Sequence, residues 1–145
     1  MTLSSERRVV DASVAAKWFL LEELNVEARA ILRGYVTLEF QLIAPPIFAS
    51  EIGSLLVKRY RRKLISEKIA RGAMDFFSLY QPTLIPHPGG HSAAFDLAME
   101  FHISFWDACY VALAQEFRCD LITADRRFYE SARKHYPFMR LLGAE

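Results

Sequence analysis

Short apolar runs alternate with helix-length segments along the whole chain, and this order allows few architectures. Val9-Val10, behind Arg7-Arg8, reads as a buried strand ending at Asp11, with Ser13 placed to cap a helix that begins at Val14-Ala15-Ala16. A second helix is expected over 25–39, with Val26, Ala30, Leu32, Tyr35 and Val36 apolar, then a strand over 41–44 stopped by Pro45-Pro46. Pro46 suits the first turn of a helix over 47–63. Ser66 caps a helix reaching Tyr80, and a brief strand over 83–85 lies between Pro82 and Pro86. After the loop Pro86-His87-Pro88-Gly89-Gly90, helices over 91–101 and, capped by Ser104, to Phe117 precede a strand over 120–123. A helix over 125–136 and a strand over 138–142 close the order. Short strands alternating with helices argue for a parallel sheet covered on both faces. The expectation is an α/β three-layer sandwich with a short, mainly parallel central sheet.

Composition bounds the rest. At 145 residues, the chain has room for a single domain over 1–145, and its 52% hydrophobic and 13% aromatic content excludes a disordered polypeptide. The net charge of +1 marks neither a nucleic-acid nor a membrane binder, so any such role must come from local clusters. Cys109 and Cys119 are too few for a disulfide scaffold and read as buried apolar fillers in a reducing cytosol. Asp11 and Lys17 interrupt the one stretch resembling an export signal, and no run is apolar enough to span a bilayer. A cytoplasmic location with no membrane partner is expected.

Of the 17 acidic residues, four stand in apolar surroundings. Asp11 ends one strand, and Asp125 follows Leu121-Ile122-Thr123-Ala124. Glu51 lies four residues after Ile47 and four before Leu55, while Asp107 lies four after Ile103 and four before Val111, so both fall on apolar helix stripes. A carboxylate there costs several kcal/mol unless it is paired or binds a metal. In a parallel sheet the strand C-termini share one edge, where ligands of open α/β folds bind. Asp11 and Asp125 end strands at that edge, and the helices of Glu51 and Asp107 begin there. For any one acid the alternative is an ion pair with Lys17 or Arg126. For four together, a divalent cation resolves the repulsion, and all-oxygen ligands favour Mg²⁺ or Mn²⁺, as no His or Cys is expected nearby. Two such ions about 4 Å apart would activate water and stabilise the leaving oxygen of a phosphodiester displacement.

Val9-Val10-Asp11-Ala12-Ser13, Ala49-Ser50-Glu51-Ile52, Phe105-Trp106-Asp107-Ala108-Cys109-Tyr110-Val111-Ala112-Leu113-Ala114 and Leu121-Ile122-Thr123-Ala124-Asp125-Arg126-Arg127-Phe128 together resemble the PIN-domain ribonucleases. The likeness is strongest to the VapC toxins of prokaryotic toxin–antitoxin pairs and covers nearly the whole chain. It implies a Mg²⁺- or Mn²⁺-dependent endoribonuclease with Asp11, Glu51, Asp107 and Asp125 as its acidic site, supported by Ser13 and Thr123. It also implies a cognate antitoxin that docks in an apolar groove, and a homodimer.

Lys58-Arg59-Tyr60-Arg61-Arg62-Lys63 carries five positive charges in six residues. Lys58, Arg61 and Arg62 form a candidate RNA footprint, with a solvated helix face as the alternative. Arg126 and Arg127 are placed to hold a scissile phosphate unless they pair with the acids. The four histidines read as surface or loop residues, and the Phe76-Phe77 run with Leu79 and Tyr80 reads as core. Two other functions fit the same acids: an acidic-pocket Mg²⁺-dependent phosphotransferase-type domain, and a PIN-like RNA-binding or regulatory module without nuclease activity. Ser13 stands where a haloacid-dehalogenase-type phosphatase would need a second acid.

Overall fold

The structure, a computed structural model, describes residues 6–144. Strands β1 (Arg7–Val10), β2 (Gln41–Ala44), β3 (Thr83–Leu84), β4 (Asp120–Thr123) and β5 (Met139–Leu141) form one sheet in the order β3-β2-β1-β4-β5. Every pairing is parallel, with Val9 opposite Ile43 on one side and Leu121 on the other. Val9, Val10, Leu42, Ala44 and Leu121 are fully out of solvent, as central strands covered on both faces must be.

Among the described residues seven helices complete the layers: α1 (Ala12–Ala16), α2 (Asn25–Val36), α3 (Ile47–Arg61), α4 (Glu67–Tyr80), α5 (His91–Phe101), α6 (Phe105–Phe117) and α7 (Arg126–Ala132). The chain steps one way from β1 to β2 to β3 and the other way from β4 to β5, so right-handed crossovers put α1–α4 on one face and α5–α7 on the other. Packing agrees, since α1 meets α2 and α3, α3 meets α4, and α5 lies along α6. Strand order therefore reverses between β1 and β4. The crevice beyond the carboxyl ends of two such strands is where open α/β sheets bind ligands.

Element ends differ from expectation for local reasons. Asp11, not Ser13, caps α1: its Oδ1 accepts the amides of Ser13 and Val14. Helix α2 stops at Val36 because Leu38 turns left-handed (φ 63°) and the Glu39 amide bonds back to the Gly34 carbonyl. Val26 and Ala30 face solvent, and the buried side of α2 is built on Ala28 and Gly34. Helix α7 ends at Ala132, and Tyr136 turns inward so that its hydroxyl donates to the carbonyls of Ala114 and Cys119. The aromatic run divides: Phe77 stacks on Trp18 in the core, whereas Leu79 and Tyr80 are exposed. Both cysteines are half-buried rather than core. Among the described residues no helix is long and apolar enough to cross a membrane.

Candidate functional site

Asp11 leaves β1 at the reversal point and is the best buried of the four acids, at 7% exposure. Its Oδ1 accepts a short bond from the Ser13 hydroxyl, and its Oδ2 accepts one from the Thr123 hydroxyl at the end of β4. The same two hydroxyls take the amides of Ala124 and Asp125 at 3.0 Å, so the ends of β1 and β4 are tied through this carboxylate. Burial pushes the Asp11 carboxyl up to about 7, against the pull of its bonds to Ser13, Thr123 and the Val14 amide, and the Asp107 charge adds to the rise.

Asp107 sits in the first turn of α6, where Ser104 caps its amide. Its carboxyl is raised to about 6, mainly by burial and further by the charges of Asp125 and Glu51. Glu51, one turn into α3, is half-buried and also raised by burial, with a hydrogen bond from the Tyr110 hydroxyl acting the other way. Asp125 is exposed and caps α7, accepting the Phe128 amide at 3.1 Å. The four acids line one cleft of about 220 Å³, together with Ser13, Ser54, Lys58 and Tyr110.

Among the described residues none of the four acids makes a salt bridge. Lys17 is taken by Glu22, which also holds Arg59 at 2.9 Å, so neither relieves the cluster. Arg126 and Arg127 are exposed at the start of α7, beside Asp125 and not paired with it. The basic run is thereby divided. Lys58 lines the acidic cleft, Arg59 braces Glu22, and Arg61 and Arg62 lie exposed at the end of α3.

Four carboxylates with no salt bridge among the described residues form an all-oxygen donor set, which fits Mg²⁺ or Mn²⁺. Among the described residues no three His, Cys, Asp or Glu side chains close on one point. Mg²⁺ does not need that, since it keeps several waters and takes one or two carboxylates. Cys109 is the one soft ligand whose thiol feels the Glu51 charge; its own pKa is raised, chiefly by burial, which disfavours the thiolate a soft metal would require.

Two of the cleft's residues lay outside the sequence reading of the acid cluster. Tyr110 falls one helical turn after Asp107, and Lys58 two turns after Glu51, spacings that put each on the face of its acid. The apolar company of Tyr110 and the charged company of Lys58 masked that signal.

The family model described as PIN domain matches residues 8–134. The chain belongs to the PIN domain family. Ribonuclease VapC3 of Pyrobaculum aerophilum is 31% identical to this PIN domain over 125 residues, covering 84% of the chain and 92% of that protein. Ribonuclease VapC9 of Mycobacterium tuberculosis is 29% identical over 129 residues, covering 89% and 94%. Among solved structures, a toxin–antitoxin complex from Klebsiella pneumoniae superposes with a TM-score of 0.62 at 18% identity, covering 95% of this chain and 99% of that one. That likeness establishes the PIN fold, with its parallel five-stranded sheet between helical layers.

Proposed function

We propose that this PIN domain is a metal-dependent endoribonuclease and the toxin of a type II toxin–antitoxin pair. The observation that carries the reading is the cleft at the sheet's reversal point, lined by Asp11, Glu51, Asp107 and Asp125 with no salt bridge to any of them among the described residues. Relatives named as VapC ribonucleases over nearly their full length support the reaction, and a toxin–antitoxin complex of the same fold supports an antitoxin partner.

Asp11, Glu51, Asp107 and Asp125 are the residues that would hold Mg²⁺ or Mn²⁺, one or two carboxylates at a time with water completing the shell. When bound, the cation supplies charge neutralisation at the phosphodiester and activation of the attacking water. The chain's own part is positioning. Ser13 and Thr123 fix the Asp11 carboxylate from both oxygens, so its orientation is set before any ligand arrives. Lys58, in the cleft, meets a phosphate of the substrate, while Arg61, Arg62, Arg126 and Arg127 hold the RNA backbone on either side. The protein acts in the cytoplasm as a homodimer.

The test is cleavage of total RNA by purified protein with Mg²⁺, with Mn²⁺ and with chelator. Cleavage is expected only with metal, and Asp107→Asn is expected to abolish it while leaving the circular dichroism spectrum unchanged. RNA cut equally in chelator would refute the metal mechanism. Intact RNA under every condition, with RNA still bound, would favour the non-catalytic module.

A further inference from the structure

Tyr110 carries a hydroxyl that joins two of the segments bearing the site's acids, α6 and α3. It lies on α6 one turn beyond Asp107, and its hydroxyl donates to Glu51 Oε1 of α3 at 2.7 Å. A phenol has one O–H to give and two lone pairs to receive. Its proton is directed at the Glu51 carboxylate, which as an anion can only accept.

The rest of the side chain is core. Tyr110 is 1% exposed and among the largest fully buried side chains, so its ring has one position. Packing alone would be met by Phe, which needs no polar partner. The hydroxyl therefore has a separate use, and its partner is a carboxylate on the wall of the acidic cleft. Glu51 reaches that cleft through three rotatable bonds, whose freedom would otherwise be lost when a ligand is bound.

We propose that Tyr110 is a positioning residue that fixes the Glu51 carboxylate and thereby sets the divalent-cation affinity of the cleft. This rests on the reading of the cleft as a cation site. Groups that hold a metal-binding side chain from behind change metal affinity by roughly 10- to 100-fold when removed. Tyr110 acts only through Glu51, so its effect must disappear when Glu51 can no longer use the bond.

Chelator-stripped wild type, Tyr110→Phe, Glu51→Gln and the double variant are titrated with Mn²⁺, and free ion is followed by its paramagnetic resonance signal. Tyr110→Phe is expected to weaken Mn²⁺ binding about 10-fold, and the double variant to bind no more weakly than Glu51→Gln. Glu51→Asp guards against a folding defect in Tyr110→Phe. It keeps the charge and the buried ring but draws the carboxylate away from the hydroxyl, and an equal loss of affinity is expected. Wild-type affinity in either Tyr110→Phe or Glu51→Asp overturns the proposal, as does a further loss when Tyr110→Phe is added to Glu51→Gln. Failure of the wild type itself to bind Mn²⁺ is a different result and overturns the cation-site reading together with the proposal.

Discussion

Asp11 and Asp107 store the site's electrostatic strain, since their carboxyls are raised to about 7 and about 6. Each holds its proton to higher pH in the folded chain than in the unfolded one. Between about pH 4 and 7, the folded state therefore binds more protons, and the stability of the metal-free protein falls as pH rises through that window. Melting in chelator is expected at a higher temperature at pH 5 than at pH 7.5, and Mg²⁺ at pH 7.5 is expected to recover the loss. At pH 7.5, Asp107→Asn should stabilise the metal-free protein by about 1 kcal/mol, or roughly 2 to 4 °C, and should gain less from Mg²⁺. A metal-free variant melting below wild type at that pH would make Asp107 a structural residue. Asp125→Asn is the weaker probe, because Asp125 is exposed and Asn caps a helix as well as Asp does. The sequence marked all four acids by their apolar neighbours, but it could not separate Asp125 from the others. Burial of a residue just past a strand depends on what packs over that end.

Helix ends and glycines carry the element-scale logic. Ser66 and Ser104 were legible as caps and do accept the amides of Ile69 and Asp107. The start of α1 was not, because Asp11 and Ser13 are both good caps and only the nearness of β4 engages Ser13 with Ala124. Gly34 in α2 and Gly72 in α4 look alike in sequence, each interrupting a helix. A Cβ at Gly34 would stand 2.3 Å from the buried Phe40 ring, whereas one at Gly72 would meet nothing within 4 Å. Ala in place of Gly72 is expected to stabilise by about 1 kcal/mol through helix propensity. Ala in place of Gly34 is expected to destabilise by about 1 to 3 kcal/mol, since the Phe40 ring has to move. Thermal melts of the two variants should shift in opposite directions, and a gain at Gly34 would mean that Phe40 repacks freely.

At the scale of the whole molecule, the near-neutral chain gathers positive charge at the end of α3, where Lys58, Arg59, Arg61 and Arg62 follow one another within five residues. Neutralising Arg61 and Arg62 together is expected to weaken RNA binding alike across sequences and to lower the salt dependence by up to about two phosphate contacts. Fluorescence anisotropy over a salt series measures this, and an unchanged slope would leave these residues as a solvated helix end. The sequence by itself determined the alternation of strands and helices, the two-faced burial of the strands and which acids stood in apolar company, because periodicity and propensity are local properties. Only the tertiary structure decided the strand order with its reversal between β1 and β4, the division of the basic run between cleft, ion pair and solvent, and the junction of Tyr110 with Glu51. Those contacts join residues far apart along the chain, and which of them meet is set by how the layers pack, a choice that no local pattern records.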